Sequence, residues 1–174
     1  LPTVGVAFNN QKITGLGTPT ADSDAATKVY VDGVAQGLRI KDSVEFATAA
    51  ALAAHTRAGN VLTASANGAL SVDGGAPAAG NRVIVKDEGG GSHLENGIYV
   101  VTDAGSAILP WILTRAVDAD VASELEEGSF AWVKNGTANA NTRWAVSTEP
   151  TTINVEAVAF TQISGAAEVP AGLG

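Results

Sequence analysis

The side chains of this 174-residue chain that could move a proton or hold an ion are two histidines, His55 and His93, and eighteen carboxylates. Nucleophilic catalysis needs a base beside a nucleophile. His55 lies in the Ala-rich "TAAALAAHTRAG" (48–59) and His93 follows the Gly-rich "EGGGS" (88–92), neither next to a nucleophile motif, and no Gly-x-Ser-x-Gly elbow occurs. Among eighteen acids, coincidental pairs of the kind that cleave glycosides are inevitable. The densest run is Asp118, Asp120, Glu124, Glu126 and Glu127 in "DADVASELEEG". Its hard oxygens suit calcium, but the spacing fits no EF-hand loop and no Gly holds the middle, so it reads as a charged surface connection. "EGGGS" lacks the Lys and the strand-to-helix setting of a phosphate loop and reads as a flexible hairpin tip. "NGT" (135–137) meets the glycosylation sequon as three residues often do by chance. No residue is assigned a catalytic, cofactor-binding or metal-ligating role, and no cofactor is expected.

Aromatic faces remain, because they stack on sugar rings. Trp132 in "SFAWVK" is in phase with Phe130, and Trp144 in "TRWAVS" is followed by apolar residues, so both are expected in the core. Trp111, just after Pro110, stands between core packing and contact with a glycan.

These residues must be held by a chain with 45% hydrophobic and 16% charged residues, enough for one domain with an appendage. A net charge of −8 disfavours nucleic acid and anionic membrane surfaces, since phosphate binding needs a basic face. The absence of cysteine excludes disulfides and thiolate metal sites. No stretch approaches the roughly 20 apolar residues of a membrane span, so no membrane insertion is expected. The sequence opens at Leu1 without a basic n-region, and reads as a processed product or a piece of a longer polypeptide.

Residues 1–37 carry Pro2, Gly5, Gly15, Gly17 and Pro19, which predict an extended leader, and then "DSDAATKVYVDG", which predicts a short helix over 22–37. Asp22 or Ser23 is the expected N-cap, Asp24 complements the helix dipole, and Gly33 and Gly37 are stop signals. The apolar stripe Ala26, Val29, Tyr30 and Val34 follows 3–4 spacing. It would dock on its own domain or meet copies of itself about a threefold axis. Residues 38–164 read differently. "RIKDSVEFA" (39–47) alternates with Val44 and Phe46 on one face, and "TAAALAAHTRAG" reads as a short helix or packed loop. "NVLTAS", "NRVIVKD", "NGIYVVTD", "PWILTRA", "GSFAWVKNG", "NTRWAVST" and "INVEAVAFTQI" are β-branched or aromatic runs divided by turn pairs such as Asn67-Gly68, Asp73-Gly74, Asn96-Gly97 and Asn135-Gly136. The expected class is mainly β, an antiparallel sandwich or barrel of short strands preceded by the leader and one helix. Residues 165–174 are linker-like and are expected to lead to a following region.

"NNQKITGLGTPTADSDAATKVYVDG", followed by "GNRVIVKD", "NGIYVV" and "PWILTRAVDAD", resembles a module of bacteriophage tail fibre and tail-tip (minor tail) proteins over roughly residues 9–165. The resemblance departs at Asn81, where the family carries an acid, so no carboxylate role is carried to that position. What it implies is a virion tail protein, not an enzyme: a homotrimer with residues 22–37 in a threefold stalk, joined to other tail proteins and engaged in host attachment through a bacterial surface glycan. The alternative is an accessory or carbohydrate-binding domain of a polysaccharide-degrading tail enzyme or bacterial surface protein.

Overall fold

The computed structural model describes residues 13–21, 23–28, 30–31 and 40–164. The chain divides into two compact units, Leu1–Leu38 and Arg39–Gly174.

In the first unit the described residues form a turn and the start of a helix. Thr20 N–H and Ala21 N–H donate to Asp24 Oδ2 at 2.8 and 2.9 Å. Asp24 thus closes the turn before the helix rather than complementing its dipole, and these donors hold its carboxyl below the ordinary range. The helix begins later than the sequence predicts. Lys28, Tyr30 and Val31 are helical, and Thr27 caps them, its Oγ1 accepting from Tyr30 N–H at 3.1 Å. Ser23 therefore does not serve as N-cap, because the Asp24 turn holds the chain out of helical register until Thr27. Asp22, Val29, Gly33, Val34 and Gly37 lie outside the described residues. Ala26, Tyr30 and Val31 are exposed.

Among the described residues the second unit is built on nine strands: β1 (Phe46–Ala47), β2 (His55–Ala58), β3 (Val61–Ala64), β4 (Arg82–Val85), β5 (Gly97–Asp103), β6 (Ile112–Arg115), β7 (Phe130–Val133), β8 (Thr142–Thr148) and β9 (Ala159–Ser164). They form a six-stranded sheet in the order β1-β4-β5-β6-β3-β2 and a three-stranded sheet β7-β8-β9. The unit is mainly β, as the strand and turn pattern predicts, and the sheets do not close into a barrel. All pairings between named strands are antiparallel except β1 with β4.

The runs Val83-Ile84-Val85 and Ile98-Tyr99-Val100-Val101 are apolar at successive positions because the centre of the large sheet is covered on both faces. Ile84 and Ile98 face one core with Val44, Ala47, Ala131, Val133, Val146 and Val158. Val83, Val85, Tyr99 and Val101 face another, closed by Leu62, Leu70, Val72, Trp111 and Leu113.

The segment before β1 joins the two sheets. Lys41 and Val44 N–H donate to Phe130 and Trp132 carbonyls on β7, and then Glu45 and Thr48 N–H donate to Arg82 and Ile84 carbonyls on β4. This crossing overturns the simple alternation predicted for residues 39–47. Val44 lies in the first core, whereas Phe46 packs against the second.

Two more local readings change. Within "TAAALAAHTRAG" residues 55–58 are strand, paired His55 with Ala64 through Ala58 with Val61 around a Gly59-Asn60 turn in which Gly59 has φ 57. The hairpin partner supplied by β3 outweighs alanine's helix propensity. Asn96-Gly97 is not a turn, since Asn96 is buried and Gly97 opens β5. By contrast, Asp73 and Gly74 have φ 49 and 77 and join Val72 to Gly75, the left-handed pair that a tight hairpin needs.

Candidate functional site

A buried polar grouping lies where β2, the β4–β5 connection and β6 meet. His55 and Arg57, two apart on β2, share one face of the strand. Glu88 follows β4 at 6% exposure. Glu95 ends the 3-10 helix Gly90–Glu95, which replaces the flexible tip predicted for "EGGGS". Arg115 ends β6 at 2% exposure.

Arg115 organises this corner. Its Nη1 and Nη2 donate to the carbonyls of Asn96 and Leu94 at 3.1 and 2.8 Å, and its Nε to Asn154 Oδ1 at 2.9 Å. Its guanidinium lies 5.0 Å from the centre of the Tyr99 ring. Gly97 leaves room for it, because a Cβ there would run into Nη1. Burial holds the Arg115 pKa below its usual value. Tyr99 donates its phenol proton to Glu95 O at 2.6 Å, and burial raises its pKa to about 12. Arg115 therefore pins the backbone on either side of Glu95, and Tyr99 pins the Glu95 carbonyl itself.

The ionisable groups point into the space so framed. His55 Nδ1 lies 2.8 Å from Ala53 O, and its Nε2 lies 3.2 Å from Glu95 Oε2. Arg57 Nε approaches Glu95 Oε1 at 3.5 Å, a loose ion pair without hydrogen-bond geometry. Glu88 Oε1 accepts from Leu52 N–H at 2.7 Å. One donor atom from each of His55, Glu88 and Glu95 lies within 4.8 Å of the others. Single residues of this grouping are visible in the sequence, but their juxtaposition is not. His55 and Glu88 are 33 positions apart, and no ligand spacing marks them.

Trp111 is 3% exposed, its ring centre 5.6 Å from that of His55. The glycan contact weighed for it is corrected: its ring is core against the large sheet and presents no open face. Trp132 also departs from its expectation. Ala131 and Val133 fill the core, while Phe130 and Trp132 take the other face of β7. Narrow side chains fit between the sheets opposite Ile84 and Ile98, and the aromatics lie outside. Arg143 lies over the Trp132 ring at 5.1 Å. Trp144 packs against the first core, as its neighbours predict, under Lys86 Nζ at 4.1 Å.

In "DADVASELEEG" the carboxylates of Asp118 and Glu124 hold local structure. Asp118 takes both oxygens to Arg82 Nη2 at 2.9 and 3.0 Å, and Glu124 Oε2 accepts from Asp120 and Val121 N–H ahead of the 3-10 helix Ala122–Glu124. A pocket of about 410 Å³ is lined by residues 48–52, 71–74 and Thr137, none of them aromatic. The Asp73 carboxylate beside it is spent on Ala138 and Asn139 N–H and Asn139 Nδ2. Among the described residues no helix is long and apolar enough to cross a membrane. Comparison of the chain with family models, curated proteins and solved structures finds no match.

Proposed function

We propose that this chain is a structural and adhesive module of a bacteriophage tail, a homotrimer that joins a stalk to more distal tail proteins and takes part in attachment to the host surface without catalysing a reaction. The observation that carries the reading is the exposure of Tyr30 and Val31, at 42% and 52%, at the start of the helix inside "DAATKVYVD". Large apolar side chains left open on a short helix are surface that a second and third copy would cover. The β-unit has two cores of its own and needs no such help. The carbohydrate-binding alternative loses its candidate residue with Trp111 in the interior. Sedimentation of residues 1–174 tests the proposal. A trimer is expected, with Tyr30→Asp weakening assembly while the β-sheet circular dichroism is retained. A monomer at high concentration overturns the stalk reading.

A further inference from the structure

We infer that His55, Glu88 and Glu95 form a binding site for one divalent cation of the zinc class, a reading independent of the tail assignment. The first support is the polarity of the His55 contacts. Ala53 O is a carbonyl and can only accept, so the Nδ1 lying 2.8 Å from it carries the ring proton. In the neutral ring Nε2 is then a lone pair, and it faces the carboxylate oxygen Glu95 Oε2 at 3.2 Å. Two acceptors at that separation repel unless a proton or a cation sits with them. A backbone carbonyl holding Nδ1–H while Nε2 faces carboxylates is also the arrangement that orients an imidazole ligand.

The second support is Glu88. It is 6% exposed, its carboxylate receives one hydrogen bond, from Leu52 N–H, and among the described residues it has no ion pair with Lys or Arg. Among the described residues its Oε2 takes no hydrogen bond and is not sealed from solvent, so it is open to a cation. Arg57 does not fill that position, because it approaches Glu95 Oε1, at 3.5 Å. Glu95 is thus free to turn Oε1 to Arg57 and Oε2 to the cation.

One imidazole and two carboxylates suit zinc, whereas calcium takes six or more oxygens. Tetrahedral bonds of about 2.0–2.2 Å place neighbouring ligand atoms about 3.4 Å apart. The His55–Glu95 pair already has that spacing at 3.2 Å, and the remaining separations, all within 4.8 Å, close by rotation of the two Glu side chains. Three protein ligands leave a fourth position for water.

The test uses residues 1–174 stripped with chelator and titrated with Zn²⁺ alone at pH 7.5, by calorimetry and by long-range ¹H–¹⁵N NMR of the histidine rings. One equivalent per chain should bind and move His55 Nε2 to a metal-bound shift while His93 stays in place. His55→Gln should weaken binding about thirtyfold or more and Glu88→Gln about tenfold. Glu127→Gln should leave it unchanged. Zinc binding that survives His55→Gln overturns the site. So does a His55 ring that remains doubly protonated and unmoved by excess zinc, in which case a proton bridges the two acceptors. If the His55 variant does not fold, the wild-type NMR titration decides alone.

Discussion

Tyr99 is the residue whose ionisation most directly reports the folded state. Its phenol is buried, it donates to Glu95 O, and its pKa is raised to about 12. A group whose folded pKa lies above its unfolded value contributes stability that is complete below the unfolded pKa and disappears as the pH rises through the folded one. Here that window runs from the ordinary tyrosine value of 10.0 to about 12. The loss across it should be about 2–3 kcal/mol. Denaturant midpoints measured at intervals of half a pH unit should fall in this range for the wild type and fall much less for Tyr99→Phe. Glu156 behaves in the opposite sense. Its carboxylate accepts from Thr151 N–H, Thr151 Oγ1 and Thr152 N–H, which hold its pKa below the ordinary value. What it adds to the turn at 151–156 is present above that ordinary value and is lost as the pH falls through the folded pKa. An NMR titration should find Glu156 ionised where a free glutamate is half protonated, and Thr151→Val should raise its midpoint.

At the scale of elements, the structure depends on where strands change partner and where loops touch. Val44 is fully buried at the step from β7 to β4, and no other segment pairs with both sheets among the described residues. Val44→Ala should cost about 2–3 kcal/mol, through lost transfer energy and a cavity between the sheets. Gly105 lies where residues 66–70 pack back on the β5–β6 connection. It has φ +73, and a Cβ would run into Gly68 O and approach Trp111 N at 2.8 Å. Gly105→Ala therefore combines left-handed strain with a clash against backbone, about 2–4 kcal/mol together. Calorimetry should show a melting temperature lower by roughly 5–15 °C. An unchanged melting temperature would mean that the segment moves aside freely.

For the whole molecule, the expected assembly turns on the first unit. Tyr30 would bury apolar surface worth about 1.5–3 kcal/mol if fully removed from water, and three copies multiply that gain against the cost of association. Residues 38–174 should accordingly remain folded but sediment as a monomer or a weak oligomer. A deletion that stays trimeric at micromolar concentration would transfer the interface to the sheets. Host polysaccharide should release no reducing ends when incubated with residues 1–174. Release that survives repurification and disappears with a single acid substitution would establish an enzyme.

The alternation and turn chemistry of "NRVIVKD", "NGIYVVTD" and "NTRWAVST" determined their strand character, because a two-residue period and β-branched side chains act within a few positions. They also determined the mainly β class. The unbroken apolar runs at 83–85 and 98–101 carried the further information that the large sheet is covered on both faces. Tertiary structure decided what depends on distant partners. It set the face on which Trp132 lies, since the gap between the sheets admits Ala131 and Val133. It buried Trp111, since Leu62, Leu70 and Val72 gather with it in the second core. It drew residues 55–58 into a strand, since β3 was there to pair with. The grouping of His55, Glu88 and Glu95 belongs to this second kind. No periodicity links a strand residue to two acids on a connection 33 and 40 positions away, and only the pairings of β2 with β3, β3 with β6 and β6 with β5 bring them to one corner.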